Sequence, residues 1–310
     1  MKRIICALAF TMCLINAGCQ TGEIAVESVT LNATSISLVE GESAVLSAII
    51  SPSYATNQKV LWTIDNSAVA TVESGMVKAI SIGKAMVTAA SEDGGKTATC
   101  EVFVTLPAPP AVDMGLSVKW ASCNIGASKP EEYGGYYQWA GLQDVTGTGI
   151  YLYWDNCPYH TGSTSSTGWT KYITSEFPSY WSGPGNPDDK IVLDPEDDVA
   201  HVTFGGKWRM PTAEEWLELD DNCSRQWTTL NGVTGEKMIS KKNGNSIFLP
   251  AAGFTRFDQE CDVGSQSTCW SSTLYLNSPY NAVNHSRKQN LLSISSRNRY
   301  YAQPVRPVSE

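Results

Sequence analysis

The sequence is poor in histidine and lacks the motifs that mark several common chemistries. The three histidines, His160, His201 and His285, are scattered and form no metal-ligand spacing. No CxxC pair occurs, which argues against a zinc ribbon or a thioredoxin-like motif. The GxSxG, HExxH, P-loop and GxGxxG patterns are also missing. The chain therefore carries no familiar catalytic signature.

The chain also lacks a basic run and a second long apolar segment. Its formal net charge of -9 argues against nucleic-acid binding, which needs a basic face for phosphates. No segment after the first eighteen residues is long and apolar enough to cross a membrane. With 310 residues, 42% hydrophobic and 17% charged, the composition predicts about two globular domains.

The first eighteen residues have the pattern of an export signal. Lys2 and Arg3 precede a short apolar stretch that ends in "NAGC". This pattern resembles a bacterial lipoprotein signal, although Asn16 stands where that family usually has Leu. The resemblance implies that residues 1–18 are removed, that Cys19 is lipidated, and that residues 19–25 are a tether. It implies a lipid-anchored protein of the outer membrane or cell surface; an ordinary secretory signal is the alternative.

Six cysteines remain after Cys19, and an exported chain permits disulfides among them. Sequence allows fifteen full pairings. We expect Cys261–Cys269 as a short-loop bridge and, with less support, Cys123–Cys223.

Residues 26–105 alternate apolar and polar residues between short turn signals, which predicts an all-β sandwich. The stretch from Trp62 to Ala79, "WTIDNSAVATVESGMVKA", carries a resemblance to group 2 bacterial Ig-like domains. That resemblance implies a spacer or stalk. The proline-rich residues 106–111, "LPAPPA", predict a semi-rigid linker.

Residues 112–310 read as an α+β domain with long loops and one clear helix. That helix lies in "GKWRMPTAEEWLELDDNC", from Thr212 to about Asp220. Thr212 and Glu215 fit a capping box, and Ala213, Trp216, Leu217 and Leu219 can form an inward stripe. The concentration of carboxylates suggests acid–base catalysis at first sight, but each residue has a structural role in this pattern.

Ordered motifs in residues 112–310 resemble the Fibrobacter-type major paralogous domain of bacterial surface lipoproteins. They are "GGYYQWA", "GGKWRMPTAEEW", "SIFLPAAGF", "CWSST" and "QPVRPV". The family is similar to sulfatase-modifying factors and their C-type lectin-like fold. The resemblance implies that Arg209, Glu215, Trp216 and Arg306 are structural, with both arginines paired to Glu215 or nearby carboxylates. The chain departs from the family at Ala140-Gly141, where Gly-Glu is frequent.

The enzyme relative of that family generates formylglycine with a close cysteine pair. Cys261 and Cys269 do not match its spacing, so we expect no enzymatic activity and keep an oxidase as a remote alternative. The chain implies no cofactor, although the oxygen-rich residues Asp194, Glu196, Asp197 and Asp198 could hold a structural calcium ion. A solvated acidic loop or internal salt bridges would explain the same residues.

From Val263 to Ser309 the chain has no acidic residue, while it has five Lys or Arg residues and many Asn, Ser and Tyr residues. This composition is typical of binding surfaces with aromatic and Arg anchors. We predict an exposed ligand face in C-terminal loops, made by Tyr275, Tyr280, Asn284, His285, Arg287, Arg297 and Tyr300. The alternative is that this basic segment neutralises the acidic residues 194–198 within the molecule.

Aromatic residues in loop-like contexts are a second candidate for ligand contact through stacking on sugar rings. They are Tyr136, Tyr137, Trp139, Trp154, Trp169 and Trp181. The predicted function is non-enzymatic adhesion or recognition, with a glycan or a surface protein as partner. The competing hypothesis is a structural or assembly subunit of a surface appendage.

Overall fold

The computed structural model of the protein describes residues 22–162, 167–289 and 291–310. The predicted signal and Cys19 lie outside these residues. Among the described residues, no helix has the length and apolar character needed to span a membrane.

The N-terminal unit consists of nine strands in the described chain. They are β1 (Ser28–Leu31), β2 (Ser35–Val39), β3 (Ser43–Val45), β4 (Ala48–Ser51), β5 (Val60–Ile64), β6 (Ala70–Glu73), β7 (Met76–Ala79), β8 (Gly83–Ser91) and β9 (Thr97–Thr105). Strands β2-β9-β8-β5 form one sheet, β3-β7-β6 a second, and β1 pairs with β4. Only β2 and β9 run parallel.

The two larger sheets of this unit face each other across one apolar core. In β8 every second residue is buried, so Ala85, Val87 and Ala89 point inward while their neighbours face outward. Val77 of the other sheet belongs to the same core cluster as Val87. The alternation read from the sequence therefore predicted the β-sandwich correctly.

The C-terminal part contains short and long strands in four sheets. They are β10 (Ala111–Val112), β11 (Lys119–Ala121), β12 (Tyr137–Gln138), β13 (Trp208–Arg209), β14 (Cys223–Leu230), β15 (Val233–Ser240), β16 (Ser246–Pro250), β17 (Phe254–Arg256), β18 (Gln259–Cys261), β19 (Gln266–Leu274), β20 (Asn281–Lys288), β21 (Leu291–Asn298), β22 (Ala302–Gln303) and β23 (Val308–Ser309). The sheet orders are β10-β11-β23-β13, β12-β22-β17-β18, β14-β15-β16 and β19-β20-β21.

Two α-helices accompany these sheets: α1 (Val199–Phe204) and α2 (Ala213–Asn222). Helix α2 confirms the predicted helix and its capping box, since Thr212 Oγ1 accepts from the Glu215 amide and Glu215 accepts from the Thr212 amide. Trp216 and Leu219 are fully buried, but Leu217 is 48% exposed, so its place in the inward stripe is wrong. Three 3₁₀ turns complete the helical structure: Trp154–Asn156, Pro178–Tyr180 and Pro195–Asp197.

Helix α1 was not predicted because six residues are too few for a helical period to show. It begins at Asp198, whose carboxylate accepts from the amides of Ala200 and His201. In the linker, the Leu106 amide donates to the Thr203 carbonyl of α1 at 2.7 Å.

The predicted disulfides are wrong. All six cysteines of the described chain are free thiols. Cys261 lies in β18 and Cys269 in β19, which belong to different sheets. Cys123 and Cys223 are likewise unbridged, each buried as an apolar side chain.

Candidate functional site

A cleft of about 510 Å³ opens in the C-terminal part between the loop after β12 and residues 150–159. Its rim is apolar and exposed, with Leu142 45% and Ile150 37% accessible. The amides of Gln138, Gln143 and Asn156 also line it. An apolar cleft of this volume with a few polar groups has the character of a ligand site.

Asp197 lies at one end of this cleft and is almost fully buried. It accepts hydrogen bonds from the hydroxyls of Tyr159 and Tyr172 and pairs with the Lys171 ammonium at 2.5 Å. Lys171 also contacts Asp194 at 2.6 Å and Glu196 at 3.5 Å. The three carboxylates therefore share one partly buried cation, the Lys171 ammonium.

Burial and hydrogen bonds shift the pKa values of two groups in this cluster, Tyr159 and Lys171. Burial, followed by the hydrogen bond to Asp197, raises the pKa of Tyr159 to about 12. Burial works to lower the pKa of Lys171, but its hydrogen bonds to Asp194 and Asp197 outweigh that and raise it. Tyr159 and Lys171 therefore keep their protons near neutral pH.

The calcium hypothesis rests on the same carboxylates. Oxygens of Asp194, Glu196 and Asp197 lie within 4.8 Å of one another, but the Lys171 ammonium contacts all three. Asp198 does not join them, because its oxygens cap α1 and accept from the Met210 amide at 2.8 Å. The Lys171 ammonium thus neutralises three of the four acids through internal salt bridges.

Three residues around the cleft hold positive backbone angles that side chains with a Cβ rarely adopt. Ala140 has φ 64°, Tyr159 φ 60° and Tyr172 φ 62°. Such strain concentrates at functional sites.

The predicted C-terminal ligand face is wrong in its geometry. Strands β20 and β21 replace the expected loops. Asn284, His285 and Arg287 are buried in β20, and Tyr300 is 5% exposed. Tyr275, Tyr280 and Arg297 are partly exposed. The seven residues therefore do not form one exposed face.

Two buried members of that set, His285 and Arg287, form a polar cluster with helix α2 and strand β15. Arg287 Nη2 pairs with Asp220, and Arg287 Nε lies 3.8 Å from Glu236. His285 Nε2 lies 3.3 Å from Asp220 Oδ1 and 3.2 Å from Arg287 Nε. His285 Nε2 can donate to Asp220 or accept from Arg287, but it cannot do both.

The alternative prediction was that the C-terminal cations are neutralised within the molecule by residues 194–198. Such neutralisation occurs, but with other acids. Arg287 pairs with Asp220 and Glu236, and Lys288 pairs with Asp262 at 3.0 Å. Asp194, Glu196 and Asp197 are instead paired with Lys171, and Asp194 is also paired with Lys190.

Arg209 and Glu215 form an ion pair and Trp216 is fully buried, whereas the carboxylate partner expected for Arg306 is wrong. Arg209 donates two hydrogen bonds to the Glu215 carboxylate, at 2.8 and 2.6 Å. Arg306 is fully buried, but it donates to Asn124 Oδ1 and to the carbonyls of Ala121 and Phe248 rather than to a carboxylate. Burial lowers its pKa to about 10, so it remains charged at neutral pH.

The aromatic residues proposed for sugar stacking are core residues, apart from partly exposed Trp181. Tyr136, Tyr137, Trp139, Trp154 and Trp169 are each less than 8% exposed. Sequence reasoning missed the cleft residues, since Leu142, Gln143 and Asn156 belong to no motif. The one available signal was an apolar residue, Leu142, in a loop of otherwise polar character.

Comparison with known proteins identifies the N-terminal unit. Residues 25–102 match the bacterial Ig-like domain (group 2) family. The chain is 40% identical over 79 residues to kappa-carrageenase of Pseudoalteromonas carrageenovora, covering 25% of this chain and 20% of that protein. It is 36% identical over 84 residues to an Ig-like virion protein of Serratia phage KSP90, covering 26% and 33%. The chain thus spans a third or less of these curated relatives.

Solved structures of the S-layer protein SbsC also align with the chain, but weakly. Its domains 5-6 give a TM-score of 0.24 at 13% identity, covering 91% of this chain and 96% of theirs. The crystal structure of residues 31-844 gives 0.24 at 11% identity, covering 90% and 25%. Residues 25–102 are a bacterial Ig-like domain.

Proposed function

We propose that this protein is a non-enzymatic, lipid-anchored surface protein whose C-terminal, lectin-like part binds a glycan or protein ligand. The lipid on Cys19 would hold it at the outer membrane or cell surface, and the Ig-like domain would act as a spacer. The cleft carries this proposal, because it combines an exposed apolar rim, amide side chains and strained backbone in one place.

The thiols support binding over oxidase chemistry. Cys261 and Cys269 lie in different sheets, and burial raises the pKa of Cys269 to about 12. A thiol of that pKa is protonated at neutral pH and is a poor nucleophile or metal ligand.

Binding is tested with the full chain carrying Cys19→Ser, applied to a glycan array and to purified surface proteins. We expect a ligand signal that Leu142→Asp with Ile150→Asp abolishes, because charge on the rim disfavours apolar contact. The matched control is Leu217→Asp, which alters an equally exposed leucine on α2. Equal signals from the rim variant and from the protein with an unaltered rim would contradict the cleft as the binding site.

The anchor is tested separately by cell fractionation. The unaltered chain should be found with membranes, and Cys19→Ser should release it, since acyl chains supply the membrane affinity. Retention of Cys19→Ser in the membrane fraction would contradict lipidation at this residue.

An assembly role is the second candidate, and exposed apolar residues on the Ig-like domain favour it. Val45 and Met76 face each other across β3 and β7 and are 60% and 55% exposed. Exposed apolar pairs of this kind are typical of contact surfaces. Self-association or co-assembly that Val45→Asp with Met76→Asp disrupts would support this role, whereas a monomer unaffected by the change would oppose it.

A further inference from the structure

Three aromatic rings form a column that runs from the core to the surface beside the cleft. The rings of Tyr300 and Phe257 lie 6.3 Å apart at 28°, and those of Phe257 and Tyr151 lie 5.1 Å apart at 17°. Tyr300 is 5% exposed, whereas Tyr151 is 55% exposed. Tyr151 is therefore the solvent-exposed end of the column, and Phe257 supports it from within.

The middle ring stands at a backbone position that normally takes glycine. Arg256 of β17 pairs with Gln259 of β18, so Phe257 is the first residue of a two-residue hairpin loop. Its φ is 57°, and such loop positions usually contain Gly, Asn or Asp. A phenylalanine is a true outlier there, and strain of this kind is retained where a side chain serves a function.

The column is fixed to the wall of the cleft by backbone contact. The Leu152 amide donates to the Phe257 carbonyl at 2.9 Å. Ile150 and Leu152, the chain neighbours of Tyr151, both line the cleft. The Asn156 amide holds this wall in place, since it donates to the Tyr151 carbonyl at 2.7 Å and accepts from the Tyr153 amide at 3.0 Å. The exposed ring of Tyr151 and the exposed amide of Gln143 are therefore the groups that remain for a ligand.

We propose that the open end of this column stacks against the apolar face of a pyranose ring, in a glycan whose ring substituents are equatorial. Such a ring presents flat C–H faces to an aromatic side chain and hydroxyls at its edge to amides. This inference deepens the proposed function by naming the ligand class, and it rests on that function. A single exposed ring is too small for a stable protein interface, which needs about 800 Å² from each partner.

Affinity electrophoresis tests the inference, with the Cys19→Ser chain run through gels that contain hydroxyethylcellulose or mixed-linkage β-glucan, whose glucopyranose rings carry equatorial substituents. We expect retardation by at least one polymer. Tyr151→Ala should weaken the affinity about tenfold, the loss expected for a stacking contact. Tyr151→Phe keeps the ring and should bind within about twofold of the unaltered chain. Tyr54→Ala is the matched control, since Tyr54 is 70% exposed on the Ig-like domain.

The outcomes separate this inference from the proposed function. Suppose that Tyr151→Ala leaves the retardation unchanged and that the Leu142 and Ile150 rim variant abolishes it. The column would then be rejected as the binding site, while the cleft would remain supported. If the chain binds a protein and no polymer retards it, the pyranose ligand would be rejected and the proposed binding function would remain. Calorimetric melting of Tyr151→Ala should match the unaltered chain, so that lost binding reflects the ring and not the fold.

Discussion

The imidazole of His285 lies flat on the indole of Trp216, with ring centroids 4.3 Å apart and planes at 17°. Asp220, one helical turn beyond Trp216, lies 3.3 Å from the same imidazole. Helix α2 thus holds a histidine of β20 between an aromatic face and a carboxylate. One of the helix carboxylates that resembled catalytic groups, Asp220, is therefore a buried structural partner of His285.

The stability of the protein should depend on Asp220 at acid pH. Burial by itself raises its pKa. The hydrogen bonds and charges of His285 and Arg287 outweigh this effect and lower the pKa to about 2. A carboxyl group with a lowered folded-state pKa stabilises the fold above its unfolded value of about 4 and loses that effect as the pH falls. About 2 kcal/mol should therefore disappear between roughly pH 4 and pH 2.

Urea unfolding of Asp220→Asn across this range checks the expectation. The variant should show a flatter dependence of the unfolding free energy on pH, and exposed Asp221→Asn should follow the unaltered chain. Glu236 contributes with the opposite sign above about pH 4.5, because burial raises its pKa. An unchanged acid slope in Asp220→Asn would contradict this assignment.

Glu215→Ala should destabilise the C-terminal part by about 1–3 kcal/mol. The carboxylate accepts two hydrogen bonds from Arg209 and one from the Thr212 amide, so its loss removes both the ion pair and half of the capping box. Glu214→Ala, the exposed neighbour, should change stability by about 0.5 kcal/mol or less. Calorimetric melting of both variants measures the difference, and equal effects would refute the capping role.

Arg306→Ala should lower the free energy of unfolding by about 3–5 kcal/mol. Its guanidinium is fully buried and donates to three acceptors on two segments, so the substitution leaves a cavity and unpaired buried oxygens. Exposed Arg225→Ala is the control. A loss in Arg306→Ala below about 1 kcal/mol, measured by urea unfolding, would show that water replaces these contacts.

Calcium and chelator should leave the melting temperature of the unaltered chain unchanged, because the Lys171 ammonium lies among Asp194, Glu196 and Asp197. Lys171→Met should destabilise the fold by about 3–5 kcal/mol, since Asp197 stays buried without its cation. Calcium should then recover part of the loss. A calcium-dependent melting shift in the unaltered chain would instead restore the structural calcium hypothesis.

Lys190→Met is the matched control for this experiment. Lys190 is more exposed than Lys171 and contacts Asp194 alone in this cluster. Its loss should cost about 1 kcal/mol or less, the range of a surface ion pair.

Local patterns were enough to predict the β-sandwich and helix α2. The alternation in Ala85 to Ala89 follows from the two-residue period of a strand, and the cap of Thr212 and Glu215 is complete within four residues. Such features depend on neighbours in the chain, so the sequence states them directly. The same holds for the net charge and for the missing catalytic motifs.

Tertiary structure alone decided which polar residues are exposed. Arg287 and His285 looked like surface anchors, yet Asp220, 65 residues from His285, brings them into the core. The column of Tyr151, Phe257 and Tyr300 joins rings more than a hundred residues apart and has no sequence pattern. Burial and ring stacking arise from contacts between distant segments, and composition along the chain does not encode those distances.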